Sequence, residues 1–170
     1  MSEPVALLLV LLTVGIRLVP HWPNFSPIIG MGLFCGAIFP RRWALIVPVG
    51  AMVAGDLILG WVPENLFGYI AIALSVGIGC GLRAGRTPLK IAGASLAGST
   101  LFYLISNRGV WLLGVLYPHT VRGLANCYVA GIPFYRNGVA GDLIYTAALF
   151  GCAHFCVRRG LRRSVVTVSA

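Results

Sequence analysis

The chain has 170 residues, 58% hydrophobic and 10% charged, with a net charge of +9 and a mean hydropathy of +0.90. A soluble domain carries about 25% charged residues. This composition therefore excludes a water-facing globular surface, and with it the basic soluble face that a nucleic-acid partner requires.

The chain reads as one all-α integral membrane domain over residues 1–170. Six apolar segments are expected as transmembrane helices, at 4–19, 27–39, 43–61, 66–82, 89–106 and 137–157. A span needs about 20 residues, with ~17 as the lower limit. The first segment is slightly short and the second clearly so. Met1-Ser2-Glu3-Pro4 lacks the basic start of a signal peptide, and no small-residue cleavage site follows. The first segment is therefore expected to remain as a helix.

Pro20-His21-Trp22-Pro23-Asn24-Phe25-Ser26-Pro27 separates the first two segments. Its prolines exclude regular helix. Irregular backbone at membrane depth must be covered by protein or line a cavity, so this loop is expected to dip into one. The link 107–136 carries only short apolar pieces and is expected to be a structured outer lid.

An even number of spans puts both termini on one side. With the termini inside, Arg41, Arg42, Arg83, Arg86, Lys90, Arg158, Arg159, Arg162 and Arg163 are internal, and Arg17, Arg108, Arg122 and Arg136 external. Nine against four favours cytoplasmic termini. The Arg158–Arg163 cluster suits anionic headgroups of the bilayer.

Two of the four acids lie inside segments. Asp56 and Asp142 sit in the same string, Ala54-Gly55-Asp56-Leu57-Ile58 and Ala140-Gly141-Asp142-Leu143-Ile144. Each is about five residues from the outer end of its expected segment, so they share a level. The match is either a trace of an inverted repeat or chance in a Gly- and Ala-rich chain. Intramembrane acids are functional candidates; a structural cap or a pair with an outer arginine is the other reading. The small-residue pairs Ala51/Gly55, Gly93/Ala97 and Ala94/Gly98 allow close helix contact.

The five cysteines make no disulfide framework. In Cys152-Ala153-His154-Phe155-Cys156 the histidine points away from both thiols on a helix, and a closed zinc site needs four ligands. No Gly-rich phosphate loop is followed by lysine, and no Ser/His/Asp spacing marks a hydrolase. Cys80 stands apart in Gly77-Ile78-Gly79-Cys80-Gly81. Glycine neighbours leave room for a large flat ligand at the sulfur; the alternative is a small apolar packing residue. Cys80 lies ~21 Å below the outer end of its segment at ~1.5 Å per residue. Either the cavity is deep or the three glycines break the helix and raise the thiol.

Length, six helices with a short second, and structured outer links resemble the S-components of energy-coupling-factor (ECF) vitamin transporters. More narrowly, the chain is similar to the small predicted cobalamin transporters of the BtuM family. The segments that carry the resemblance are residues 20–27, Gly55-Asp56-Leu57-Ile58-Leu59-Gly60, Gly79-Cys80-Gly81, Asn107-Arg108-Gly109-Val110-Trp111 and Gly141-Asp142-Leu143-Ile144-Tyr145. The resemblance implies uptake of cobalamin through the inner membrane. Cys80 would be the lower axial ligand of the cargo's cobalt in the base-off form, and decyanation of cyanocobalamin would follow from it. His21, Trp22, Asn24, Asp56, Tyr128, Tyr135 and Asp142 would surround the ligand, with Cys35 the second candidate thiol. An energising ATPase module is an implied partner, although Pro4–Val19 lacks the Ala-x-x-x-Ala pattern that docks one. The alternative function is a proton-coupled carrier or structural membrane subunit that relies on Asp56 and Asp142.

Overall fold

A computed structural model describes residues 8, 11, 12, 14–16, 18, 19 and 22–168, with side chains to residue 157. Its helices are α1 (Ile28–Ile38), α2 (Arg41–Leu59), α3 (Asn65–Gly81), α4 (Pro88–Leu113) and α5 (Val121–Val168). A short 3-10 turn, Leu82–Ala84, follows α3. Among the described residues no strand occurs, and four stretches are long and apolar enough to cross a membrane: Arg41–Leu59, Asn65–Ala84, Pro88–Leu113 and Val121–Val157. The chain is thus an all-helical protein of membrane-spanning character. Most of the expected first span lies outside the described residues; Leu8, Leu11, Leu12, Val14, Gly15, Ile16 and Leu18 are helical.

The short second segment is the centre of the fold. Helix α1 has 11 residues, ten of them buried. At ~1.5 Å per residue it is only ~16 Å long, about half of a ~30 Å hydrocarbon core. It is apolar on every side because α2, α3, α4 and α5 all pack against it.

Small residues set how close the helices come. A Cβ on Gly32 would overlap Ser75 Oγ, one on Gly36 the Val76 carbonyl, and one on Gly79 the Leu33 backbone. Gly32/Gly36 and Ser75/Gly79 are therefore a four-residue-spaced seam between α1 and α3. Gly98 of α4 takes Ile29, whose Cγ2 would lie 2.5 Å from an added Cβ. Of the pairs expected from sequence, Ala94/Gly98 faces this core, whereas Gly93 and Ala97 are exposed.

Both ends of α1 are held by charged side chains from elsewhere in the chain, Asp142 of α5 and Arg83 and Arg86 of the segment between α3 and α4. The backbone N–H groups of Ile29 and Gly30 donate to the Asp142 carboxylate. At the other end Arg83 Nε donates to Gly36 O at 2.7 Å and its Nη2 to Phe39 O at 2.6 Å. Arg86 Nη2 adds a bond to Ala37 O at 3.1 Å. Anion at the N-terminus and cations at the C-terminus match the helix dipole and satisfy backbone groups that have no intrahelical partner.

The expected lid at 107–136 is not a loop. Helix α4 runs on to Leu113, α5 starts at Val121, and only residues 114–120 connect them. The polar residues between the link's short apolar pieces are satisfied across the α4–α5 seam. Tyr103 Oη donates to Tyr128 O at 2.6 Å, Tyr128 Oη donates to Leu104 O at 2.7 Å, and Gly131 lets Asn107 approach. Pro133 is accommodated inside α5, as prolines are in membrane helices. Asp142 lies 21 residues into α5 rather than near a helix end, while Asp56 lies three residues from the end of α2.

The glycines around Cys80 do not break α3 either. The helix continues to Gly81, because Gly79 is needed for the approach to Leu33 rather than for a bend. Cys80 therefore stays at the C-terminal end of α3.

Candidate functional site

Two places gather the residues singled out in the sequence. The first is a polar cavity of about 30 Å³ beneath the proline-rich loop. Asn24 reaches it because the loop turns at that residue with φ 60°, a left-handed conformation that asparagine tolerates. The loop is seated on α5: Asn137 Nδ2 donates to Pro23 O at 3.2 Å, and Phe25 stacks edge-on with Tyr145 at 5.7 Å. Gly141 leaves room for the Phe25–Ser26 backbone. The loop borders a cavity through Asn24, but Trp22, Pro23 and Asn24 are themselves exposed.

The remaining cavity walls come from α1, α4 and α5. Asn24, Ser99, Tyr103, Ser106, Asn107, Tyr135 and Asp142 supply the polar lining. Asp142 is 5% exposed, and Ser99 Oγ donates to its Oδ2 at 2.7 Å. Tyr135 Oη and Thr100 Oγ1 share a hydrogen bond of 2.9 Å, and the Tyr103 and Tyr135 rings lie 4.8 Å apart. A cavity this size holds water or a very small polar group, given ~10–15 Å³ per water.

The structure thus brings Asn24, Tyr135 and Asp142 together. Tyr128 joins them through its ring contact with Tyr103 at 5.6 Å. Trp22 stands at the rim, 73% exposed, edge-on to Phe25. His21 lies outside the described residues. Asp56 is buried in α2, which packs on α1 and α3, and does not line this cavity.

Sequence reasoning missed Ser99, Tyr103 and Ser106. The signal was present, since Ser95, Ser99, Tyr103 and Asn107 recur every four residues along one face of an apolar helix. Their four-residue period was hidden by drawing the segment to end at 106.

The second place is Cys80. Its side chain is half-buried at the edge of the apolar core. It belongs to a different depth from Asp142. Asp142 meets α1 at Ile29 and Gly30, whereas Cys80 meets it at Gly36. Six residues of α1 separate the two levels, ~9 Å at ~1.5 Å per residue. Beside the thiol the surface is open: a Cβ on Gly77 or on Gly81 would find no atom within 4 Å. Gly77 shares the face of Cys80 at i−3, and Gly81 follows at i+1, about a quarter-turn round the helix. Cys35 is different, wholly enclosed in the core. Among the described residues no three His, Cys, Asp or Glu side chains converge as a metal centre.

An all-helical, membrane-spanning bundle built round a buried, charge-capped short helix is the class that fold and site define. Within that class the chain belongs to a family of unknown function, DUF6580, whose model matches residues 2–164. No curated protein and no solved structure matches the chain.

Proposed function

We propose that the protein takes up cobalamin across the inner membrane, as the BtuM-like pattern of its sequence suggests, and that the Cys80 thiolate serves as lower axial ligand to the cargo's cobalt. The observation that carries this reading is the open glycine surface beside Cys80. A flat macrocycle needs clearance beside the sulfur, and Gly77 and Gly81 leave it on one side of Cys80. Thiolate is a soft, strong donor, and metal coordination deprotonates a thiol outright. Donation from below weakens the cobalt bond above. An upper cyanide then leaves with its bonding electron pair, water takes its place, and cobalt stays trivalent, so the exchange needs no reductant. A six-helix S-component architecture, an energising ATPase partner and cytoplasmic termini belong to the same reading.

The test is the absorption spectrum of purified protein loaded with cyanocobalamin. Wild type should give a base-off, sulfur-ligated spectrum, and Cys80→Ala should not. Identical spectra would end the cobalt reading.

A second reading rests on the polar cavity. A corrinoid is far larger than about 30 Å³, and Asp142, Asn24 and Tyr135 line a space suited to a small polar solute. A carrier of that kind would use Asp142, with Cys80 as a packing residue. It predicts a colourless preparation that Cys80→Ala leaves fully active.

A further inference from the structure

A larger groove, about 730 Å³, lies between α4 and α5. None of the residues assigned above to cobalt or solute lines it. Ile91, Ala92, Leu143, Ala147 and Phe150 make apolar walls, and Ile38 closes the back. Its two hydroxyl residues face each other, Thr146 Oγ1 donating to Ser95 Oγ at 3.4 Å, which leaves the middle of the groove apolar. Among the described residues its ionisable lining is Arg86 and His154, with no acid. None of the described residues at 8–19 lines it either.

The length and polarity of the groove point to its occupant. From Leu143 to Val157 it follows fourteen residues of continuous helix, ~21 Å at ~1.5 Å per residue. One leaflet, headgroups included, is half of ~40–45 Å, or ~20–22 Å. The Ser95–Thr146 contact and the antiparallel run of α4 and α5 put Arg86 and Pro88 at the Val157 end. That end is cationic. Arg86 uses one N–H on Ala37 O, which leaves the rest of a five-donor guanidinium for an anion. The N-terminus of α4 adds its partial positive charge there. The chain continues past Val157 into Arg158, Arg159, Arg162 and Arg163.

We infer that the α4–α5 groove is a binding site for one phospholipid of the leaflet on the Arg86 side. One acyl chain lies along α5 from Val157 towards Leu143, and the headgroup phosphate sits on Arg86. The site is an apolar channel closed by a cation at the membrane surface, which a phospholipid fits at both ends. A free anion would leave the channel uncovered, and an apolar helix would leave Arg86 without a partner anion.

The experiment uses the full chain, delipidated in detergent and returned to phosphatidylglycerol or phosphatidylcholine vesicles that carry a diazirine on one acyl chain. Photolabelled peptides are mapped. Label should concentrate on 143–157 and 88–95. Gly151 lines the groove with no atom within 4 Å of an added Cβ, so Gly151→Trp should fill it and remove that label. Gly93, exposed and outside the groove, is the control, and Gly93→Trp should leave the label in place. Arg86→Ala should lower occupancy about tenfold for both lipids, the worth of one charge-assisted hydrogen bond. A diazirine hydrocarbon without a phosphate should not respond to Arg86→Ala. Label spread evenly over the lipid-facing helices of the wild type overturns the inference without reference to any variant. So does label on 143–157 that survives in folded Gly151→Trp or in the milder Ala147→Leu.

Discussion

Asp142 and Arg83 hold opposite ends of one buried helix. The carboxylate takes the N–H groups of Ile29 and Gly30, and the guanidinium gives two hydrogen bonds to the carbonyls of Gly36 and Phe39. Neither residue belongs to that helix. A fully buried helix has no water to satisfy its ends, so charged side chains from α5 and from the turn after α3 do it.

Removing either clamp should destabilise the bundle. Asp142→Ala strands two N–H groups and Arg83→Ala two carbonyls. An unsatisfied buried group costs about 1–3 kcal/mol. Asp142→Asn should recover part of the loss, because its amide oxygen still accepts. Thermal unfolding in detergent reads this order, and unchanged midpoints in both alanine variants would show that the helix ends are held by something else.

The seam between α1 and α3 predicts a contrast among glycines. Gly36→Ala and Gly79→Ala push a methyl group into facing backbone, which cannot move aside as a side chain can. Overpacking of this kind costs about 1–3 kcal/mol or more. Gly77→Ala meets open space and should be neutral or stabilising by up to about 1 kcal/mol through helix propensity. Expression and melting of the three variants check the contrast. Equal behaviour would sink the packing account of Gly79.

Two cysteines separate the ligand reading from packing. Cys80→Ala and Cys80→Ser should both lose cobalt–sulfur coordination and cyanide release while the protein still folds. Cys35→Ala should keep the spectrum and cost about 1 kcal/mol of stability for the small cavity it leaves in the core. A spectral loss on Cys35→Ala instead would move the cobalt ligand to α1.

The acids test the solute reading. If Asp142 shapes the pocket, Asp142→Asn should weaken ligand binding more than it changes its pH dependence, and Asp56→Asn, outside the cavity, should leave binding unchanged. Binding that stays intact while uptake loses its dependence on the proton gradient would favour a proton-coupled carrier.

Topology is open to a direct check. A reporter placed in residues 114–120 should read as external and one in the turn at Gly85 as cytoplasmic. Nine of the thirteen basic residues lie on the Gly85 side if the chain crosses six times. The opposite result would invert the protein and turn the Arg86 end of the lipid groove to the outer leaflet.

What the sequence determined by itself follows from local chemistry. Too few charges to face water meant a membrane protein, and the apolar runs at 43–61 and 66–82 were legible as α2 and α3 because such runs can bury their backbone bonds only as helices. The shortness of the second segment was equally plain. The tertiary structure decided what those features were for. Tyr128 and Tyr135 read as lid residues until Tyr103 and Leu104 of α4 appeared opposite them, since a polar side chain is helical or not according to whether a neighbouring helix satisfies it. Gly79 read as a hinge or as clearance for a ligand, yet it marks where Leu33 crosses. Asp142 matched Asp56 letter for letter, but only the approach of α1 made it a cap. Composition acts through solvent and needs no partner, whereas the role of a single polar or small residue depends on atoms far away in the chain.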